Sequence, residues 1–472
     1  MKVEQIYTGC LAHGAYYIES EGEAAIIDPL RETQQYVEKA KADGAQIKYI
    51  FETHFHADFV SGHLDLAKKT GAHIVYGPSA KTSFDIIVGE DQQEFKIGKV
   101  TVKLLHTPGH TMESSCFLLK DENGKDYAIF SGDTLFIGDV GRPDLAQKSG
   151  EITQEDLAGW LFDSLRNKVM TLADDVIVYP GHGAGSACGK NMSDETWDTI
   201  GHQKQTNYAL RADMTREEFI EEVTDGLMPP PQYFPKNAKI NKMGYDSFED
   251  IMERGMNPLS PRAFEAAATE EEALMLDVRE KEDFSKGFIP NSVLISLGGS
   301  FAPWAGALIP DLKQPILIIA EPGKEEEAIT RLARVGHDNV IGYLDGGFES
   351  WKKEGREIDT VQSIDVPTFE RMYKENPELN VLDVRKIGEY SAEHVENSVL
   401  FSLDYINDNF GDLDRSKEYI LHCRSGYRST IAASILQARG FIKLKNVLGT
   451  FEDISKSEVP TTDYVCPSML KA

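Results

Sequence analysis

Short apolar runs, each ending on a polar cluster, punctuate the first half of the chain. "EAAIIDP" ends at Asp28, "KYIFETH" runs into a histidine, and "KVTVKLLHTPGH", "DYAIFSGD" and "DDVIVYPGHG" repeat the pattern. Runs of this length bounded by turn residues predict buried strands that open into loops. Between them, "ETQQYVEKAKADGA" carries apolar positions at helical spacing and a Gly stop, which predicts a helix. Metal-capable residues therefore recur at strand ends, where loops on a rigid sheet build functional sites. The Pro-rich "LMPPPQYFP" from Leu227 reads as an extended segment closing this part.

The second half is an internal repeat. "LDVREKEDFSKGFIPNSVLISL" from Leu276 aligns without gaps to "LDVRKIGEYSAEHVENSVLFSL" from Leu382, with eleven of twenty-two positions identical. Each copy continues with an apolar strand ("PILIIA", "EYILHC"), a helix and a turn-rich end ("LDGGFESW", "LGTFEDI"). Each is a βαβ-type unit of about a hundred residues, the size of one domain. The expected organisation is α/β multidomain, with domains at 1–256, 257–360 and 361–472.

Charge and cysteine usage narrow the function. A net charge of −28 repels a phosphate backbone, so nucleic-acid processing is disfavoured. The five cysteines are odd in number and widely spaced, which implies no disulfide framework and fits a reducing compartment. The start of the chain shows no basic-then-apolar signal pattern, and no apolar run approaches the ~20 residues that cross a bilayer. The sequence thus reads as cytoplasmic, with no membrane partner.

Candidate metal chemistry begins at "ETHFHADFVSGH", which supplies His54, His56 and Asp58 and then places Phe59 after the aspartate. "HTPGHT" adds His110, "FSGDTLF" adds Asp133 and "YPGHG" adds His182. Imidazoles and carboxylates on strand-end loops suit Zn, Fe or Mn. His63 reads as a helix or loop histidine. This set resembles the metallo-β-lactamase superfamily, whose fold is an αββα sandwich. Its dinuclear hydrolases, such as glyoxalase II, carry a histidine directly after the aspartate to hold a second metal. Phe59 cannot ligate. The resemblance is therefore to the persulfide dioxygenase branch, in which one Fe(II) is held by residues matching His54, His110 and Asp133. Two histidines and a carboxylate on one face leave open positions for substrate and O₂. His56, Asp58 and His182 are then expected to orient ligands or contact substrate. In the similar "FIGDVGRPDL", Arg142 is the candidate partner of an anionic thiol substrate. "GHGAGSACGK" resembles the subfamily in which the dioxygenase is fused to rhodanese domains, and places Cys188 as a candidate reactive thiol near the site.

In the second repeat, "YILHCRSGYRST" puts Cys423 at a strand end, before a loop rich in Gly, Ser and Arg and then a helix. Helix-start N–H groups and cations lower a thiol pKa and stabilise an anion on sulfur. The motif resembles a rhodanese, in which Cys423 carries sulfane sulfur and the loop of Arg424, Ser425, Gly426, Tyr427, Arg428 and Ser429 cradles it. Arg424 and Arg428 are expected to draw in an anionic acceptor, and Asp383 and Arg385 to anchor the fold. A cysteine-phosphatase loop needs Arg where Ser429 stands, so sulfur transfer is the better reading. In the first repeat Ala320 takes the cysteine's place and acidic residues follow, which resembles a pseudo-rhodanese.

Together these resemblances imply oxidation of a low-molecular-weight thiol persulfide with O₂ to sulfite. That activity is coupled to sulfur transfer that forms or uses thiosulfate, in a homo-oligomer like related dioxygenases. The alternative is a glyoxalase-II-like thioester hydrolase with an appended sulfurtransferase.

Overall fold

Strand alternation sorts the first half of the chain into layers. In the computed structural model, which describes residues 1–148 and 150–466, twelve strands among the described residues of this half form two six-stranded sheets. The first sheet holds β1 (Lys2–Thr8), β2 (His13–Ser20), β3 (Glu23–Ile27), β4 (Gln46–Phe51), β5 (His73–Tyr76) and β6 (Ile87–Val88), side by side in that order. The second holds β7 (Glu94–Ile97), β8 (Val100–His106), β9 (Ser115–Lys120), β10 (Asp126–Gly132), β11 (Ile177–Pro180) and β12 (Asp198–Thr199), again in order.

Along β2, Tyr16 and Ile18 face one way and Ala15 and Tyr17 the other, as a period of two demands. Tyr16, Ile18, Ile27 and Phe51 pack with Val102, Leu104, Phe117 and Phe130 of the second sheet, forming the core between the sheets. Ala15, Tyr17, Ile26 and Ile50 pack outward on Tyr36 and Leu66, from the helices Gln34–Ala42 and His63–Thr70. Leu105, Leu118, Ile129 and Val178 pack outward on Leu161 and Phe219, from the helices Gln154–Ser164 and Arg216–Thr224. The result is the αββα sandwich, with each fully buried large side chain worth roughly 1.5–3 kcal/mol.

The Pro-rich segment departs from expectation. After Pro231 the chain enters a helix, Phe234–Met243, with Pro235 in its first turn, where a missing N–H leaves no hydrogen bond unmade.

By compactness the chain divides into Met1–Phe248 with Ala333–Gly336, and Glu249–Leu332 with His337–Ala472. The second unit holds both repeats. The first repeat orders its parallel strands β13 (Pro258–Leu259), β17 (Val340–Leu344), β16 (Ile316–Ile319), β14 (Leu274–Asp277) and β15 (Val293–Leu294). The second orders β18 (Ser363–Asp365), β22 (Leu444–Leu448), β21 (Tyr419–His422), β19 (Val381–Asp383) and β20 (Val399–Leu400), the same topology strand for strand. The turn-rich ends are the starts of short helices, Gly347–Lys353 and Phe451–Ser455; Thr450 caps the latter with its own hydroxyl. No helix of the described residues is long and apolar enough to cross a membrane.

Candidate metal centre and cysteine loop

Five strands deliver polar residues to one end of the sandwich: β3 to Asp28, β4 to Thr53, His54, His56 and Asp58, β8 to His110, β10 to Asp133 and β11 to His182. The turn after β10 requires Gly132, at φ +50°, because a Cβ there would lie 2.6 Å from Thr53 Oγ1.

Two triads converge. Ligand atoms of His54, His110 and Asp133 lie within 4.8 Å of one another, as do those of His56, Asp58 and His182. Asp133 Oδ2 is 3.8 Å from His54 Nε2 and 3.4 Å from His110 Nε2, while His182 Nε2 is 3.3 Å from Asp58 Oδ2 and 3.7 Å from Asp133 Oδ1.

Hydrogen bonds behind the rings set the tautomers. His110 Nδ1 donates to the Arg142 carbonyl at 2.9 Å, which leaves its Nε2 lone pair toward Asp133. Thr53 Oγ1 spends its proton on Asp28 Oδ2 at 2.9 Å, so it accepts from His54 Nδ1 at 3.0 Å and the Nε2 lone pair of His54 is likewise exposed to the cavity. His110 Nε2, both Asp133 oxygens, Asp58 Oδ1 and both His182 nitrogens are buried without a hydrogen-bond partner among the described residues. Leaving so many groups unpaired costs about 1–3 kcal/mol each, and a divalent cation relieves that cost. The donor set fits such a metal.

Electrostatics agree. Burial, followed by the neighbouring histidines, holds His54 well below the ordinary imidazole value, and burial holds His110 and His182 at about 4. Burial thus favours the neutral form of these rings, the form that can ligate a metal. Burial, with the Asp58 charge beside it, pushes Asp133 well above the usual carboxylate range, a penalty that a cation reverses.

Phe59 is fully buried, its ring centroid 4.3 Å from those of both His13 and His56. His56 Nε2 turns to a second buried acidic pair, 3.1 Å from Asp28 Oδ1 and 3.5 Å from Glu52 Oε2. Glu52 also accepts from Ser61 Oγ at 2.5 Å and lies 3.5 Å from His63 Nδ1, so His63 is a buried helix-start residue behind the site. His13, Glu52 and Tyr233 were not singled out by sequence. His13 opens β2, and Tyr233 precedes a helix far along the chain. Burial, with the Asp58 carboxylate facing it, holds the Tyr233 hydroxyl well above its ordinary value.

Arg142 stands beside the site with its fork engaged. Nε and Nη2 grip Asp144 at 2.6 and 2.7 Å, and Nη2 also donates to the Met228 carbonyl. Its main chain links the centre together, accepting from His110 and donating to the Cys188 carbonyl at 3.0 Å. The thiol of Cys188 is buried within 4.8 Å of ligand atoms of Asp133 and His182. Burial, then the carboxylates of Asp58 and Asp133, push that thiol well up.

In the second unit, Cys423 follows β21 and is almost fully buried, ahead of the helix Tyr427–Ala438. Gly426, at φ +80°, turns the chain into that helix, and its carbonyl accepts from Thr430 N and Thr430 Oγ1 at 3.1 and 2.7 Å. Ser429 Oγ bonds the same carbonyl at 3.2 Å. Arg424 is exposed, whereas both Nη atoms of Arg428 grip the carboxylate of Glu389 at 2.6 and 2.8 Å. Asp383 is buried against Arg385, with Nη2–Oδ2 at 2.6 Å, and the Arg385 guanidinium lies over the Phe451 ring.

Comparison with known families follows this division. Residues 8–182 match the metallo-beta-lactamase superfamily, and residues 260–354 and 366–457 each match the rhodanese-like domain. A metallo-beta-lactamase structure from Staphylococcus aureus is 31% identical, with a TM-score of 0.64, over 73% of this chain and 98% of that one. The chain belongs to the metallo-β-lactamase superfamily, fused to two rhodanese-like domains. Within that superfamily it is similar to a probable hydroxyacylglutathione hydrolase of Schizosaccharomyces pombe, 30% identical over 38% of this chain and 66% of the relative. The chain thus spans just under two thirds of that relative's length. It is also similar to the human mitochondrial persulfide dioxygenase ETHE1, 28% identical over 44% of this chain and 74% of the relative. Membership implies a divalent metal at the sandwich end and enzyme-type chemistry in both units.

Proposed function

We propose that the sandwich oxidises a low-molecular-weight thiol persulfide with O₂ to sulfite, and that Cys423 transfers sulfur to form or use thiosulfate. The working parts are 1–256, 257–360 and 361–472, acting in a cytoplasmic homo-oligomer. The observation that carries this reading is Phe59. In sequence it stands where the dinuclear hydrolases that this chain resembles carry a second-metal histidine, and its ring lies 4.3 Å, centroid to centroid, from both His13 and His56. One Fe(II) is assigned to His54, His110 and Asp133. When bound, iron would supply a redox-active Lewis acid on the face that these three residues share.

The chain's own residues prepare that face. Thr53 and the Arg142 carbonyl hold the His54 and His110 rings in their ligand tautomers. Asp58 and His182 adjoin that set, with His182 Nε2 3.3 Å from Asp58 Oδ2 and 3.7 Å from Asp133 Oδ1, where they contact and orient the substrate. Phe59, Phe136 and the buried rings around them exclude bulk water, which strengthens each polar contact. In the second unit, the Cys423 thiolate attacks the outer sulfur of RSSH. The S–S bond breaks, RS⁻ leaves and Cys423 holds the persulfide. Sulfite then attacks that sulfur, forming thiosulfate and restoring the thiolate.

A thioester hydrolase is the second reading, favoured by the convergence of His56, Asp58 and His182 and by the similarity to hydroxyacylglutathione hydrolases. Product analysis separates the two. Iron-loaded protein given glutathione persulfide in air should release sulfite and thiosulfate, and Cys423→Ser should release sulfite alone. Cleavage of a glutathione thioester without either sulfur product would establish the hydrolase instead.

A further inference from the structure

The Cys423 loop has a neighbour that comes from the other repeat. Lys281 opens the helix Lys281–Lys286 of the middle repeat, and its Nζ donates to the Ser425 carbonyl at 2.8 Å. The loop is seated there at a second point. Tyr427 Oη donates to the Ser296 carbonyl at 3.3 Å, and a Cβ on Gly299 would lie 2.5 Å from Tyr427 Cζ. Farther along the helix Tyr427–Ala438, Ser434 Oγ accepts from Leu294 N of the middle repeat at 3.0 Å.

These contacts fix a peptide. Across a trans peptide, C=O and N–H point in opposite directions. Holding the Ser425 carbonyl toward Lys281 therefore aims the Gly426 N–H away from Lys281, to the other side of the loop. Thr430 secures the same residue from the helix side. Among the described residues the Gly426 N–H donates to nothing. Its counterpart in the middle repeat, the Gly323 N–H, is spent on Glu325 Oε2 at 2.7 Å. One repeat fills this donor with its own carboxylate; the other keeps it open and has it held from outside.

We propose that Lys281 is a positioning residue of the sulfur-transfer loop, pinning the Ser425 carbonyl so that the Gly426 N–H is presented to sulfur on Cys423. The inference rests on reading Cys423 as the sulfur carrier, and it makes the repeat without a nucleophile part of the other repeat's site. The charged and titratable groups facing the loop are Arg424, the Arg428–Glu389 pair, the Asp383–Arg385 pair and His422 from its own repeat. From the middle repeat they are Lys281 and Glu280. Of these, Lys281 is bonded directly to the loop backbone.

The test is the pH profile of Cys423 alkylation by iodoacetamide, followed by mass spectrometry in the full chain, for wild type, Lys281→Met, Lys281→Gln and Lys281→Arg. Loss of the ammonium should move the profile to higher pH and slow the reaction about three- to tenfold at pH 7, and arginine should restore it. Gly299→Ala, which disturbs Tyr427 without touching the charge, should slow alkylation as well. Met and Gln variants that fold normally and superimpose on the wild-type profile would overturn the proposal. Alkylation needs no sulfur donor. Failure of wild-type Cys423 to take sulfur from glutathione persulfide would therefore refute the transfer reading separately.

Discussion

The two rhodanese-like repeats share a scaffold and differ at one loop. Both place an aspartate–arginine pair at the end of a central strand: Asp277 with Arg279 and Asp383 with Arg385, each with Nη2–Oδ2 at 2.6 Å. Both then turn through a glycine with positive φ, Gly323 at +90° and Gly426 at +80°. Ala320 in one and Cys423 in the other follow the equivalent strand. Around the alanine the following residues are acidic, and Glu325 occupies the glycine N–H. Around the cysteine that donor is open, Arg424 is exposed, and Arg428 is balanced by Glu389. Losing a nucleophile is one change; filling the anion cradle with a carboxylate is a second. The middle repeat carries both changes on the same strand order.

The largest expected effect is on Cys423. Cys423→Ser should reduce persulfide loading of the second unit to background, measured by mass spectrometry after exposure to glutathione persulfide. Residual loading on the middle repeat would break the comparison. Ala320→Cys in that background should restore no loading, because Glu325 holds the cradle. Adding Glu325→Gln should then raise alkylation of the new thiol several-fold, which would sharpen the account by dividing the two changes.

A stability comparison comes next. Asp277→Ala and Asp383→Ala each leave a buried guanidinium uncompensated, at about 3–5 kcal/mol by denaturant unfolding. Equal losses support a common structural role for the pairs. A loss of sulfur transfer in Asp383→Ala without destabilisation would assign Asp383 to the chemistry instead. Smaller still is Glu389→Gln, which frees the Arg428 fork. It should lower the KM for sulfite by about two- to threefold with kcat nearly unchanged, since an added unpaired cation acts mainly on anion binding.

Much of this was legible in the sequence, for physical reasons. Polar residues at strand ends follow from apolar runs that stop at the sheet edge, so His54, His110, Asp133 and Cys423 stand out as strand-end residues, and the family resemblance is what proposes their roles. The repeat exposed the paired domains because identical residues at one register dictate the same strand order. What could not be read depends on contacts between distant segments. His13 reaches Phe59 from β2, and Tyr233 approaches the centre from a helix start that the prolines disguised. Arg142 was expected to bind an anion, but its fork is taken by Asp144, two residues away, and its carbonyl is what orients His110. Lys281 meets the cysteine loop across 144 residues of sequence, a pairing no local pattern encodes.

In the metal unit, Asp133→Ala should abolish metal retention while sparing alkylation of Cys423. The measurement that tests the central claim most directly is O₂ consumption by Fe(II)-loaded protein given glutathione persulfide, against a Zn(II)-loaded control. Uptake with iron alone is the expected result, and would mark the Phe59-plugged centre as an oxygenase. No uptake with iron, together with thioester cleavage by the zinc form, would contradict it.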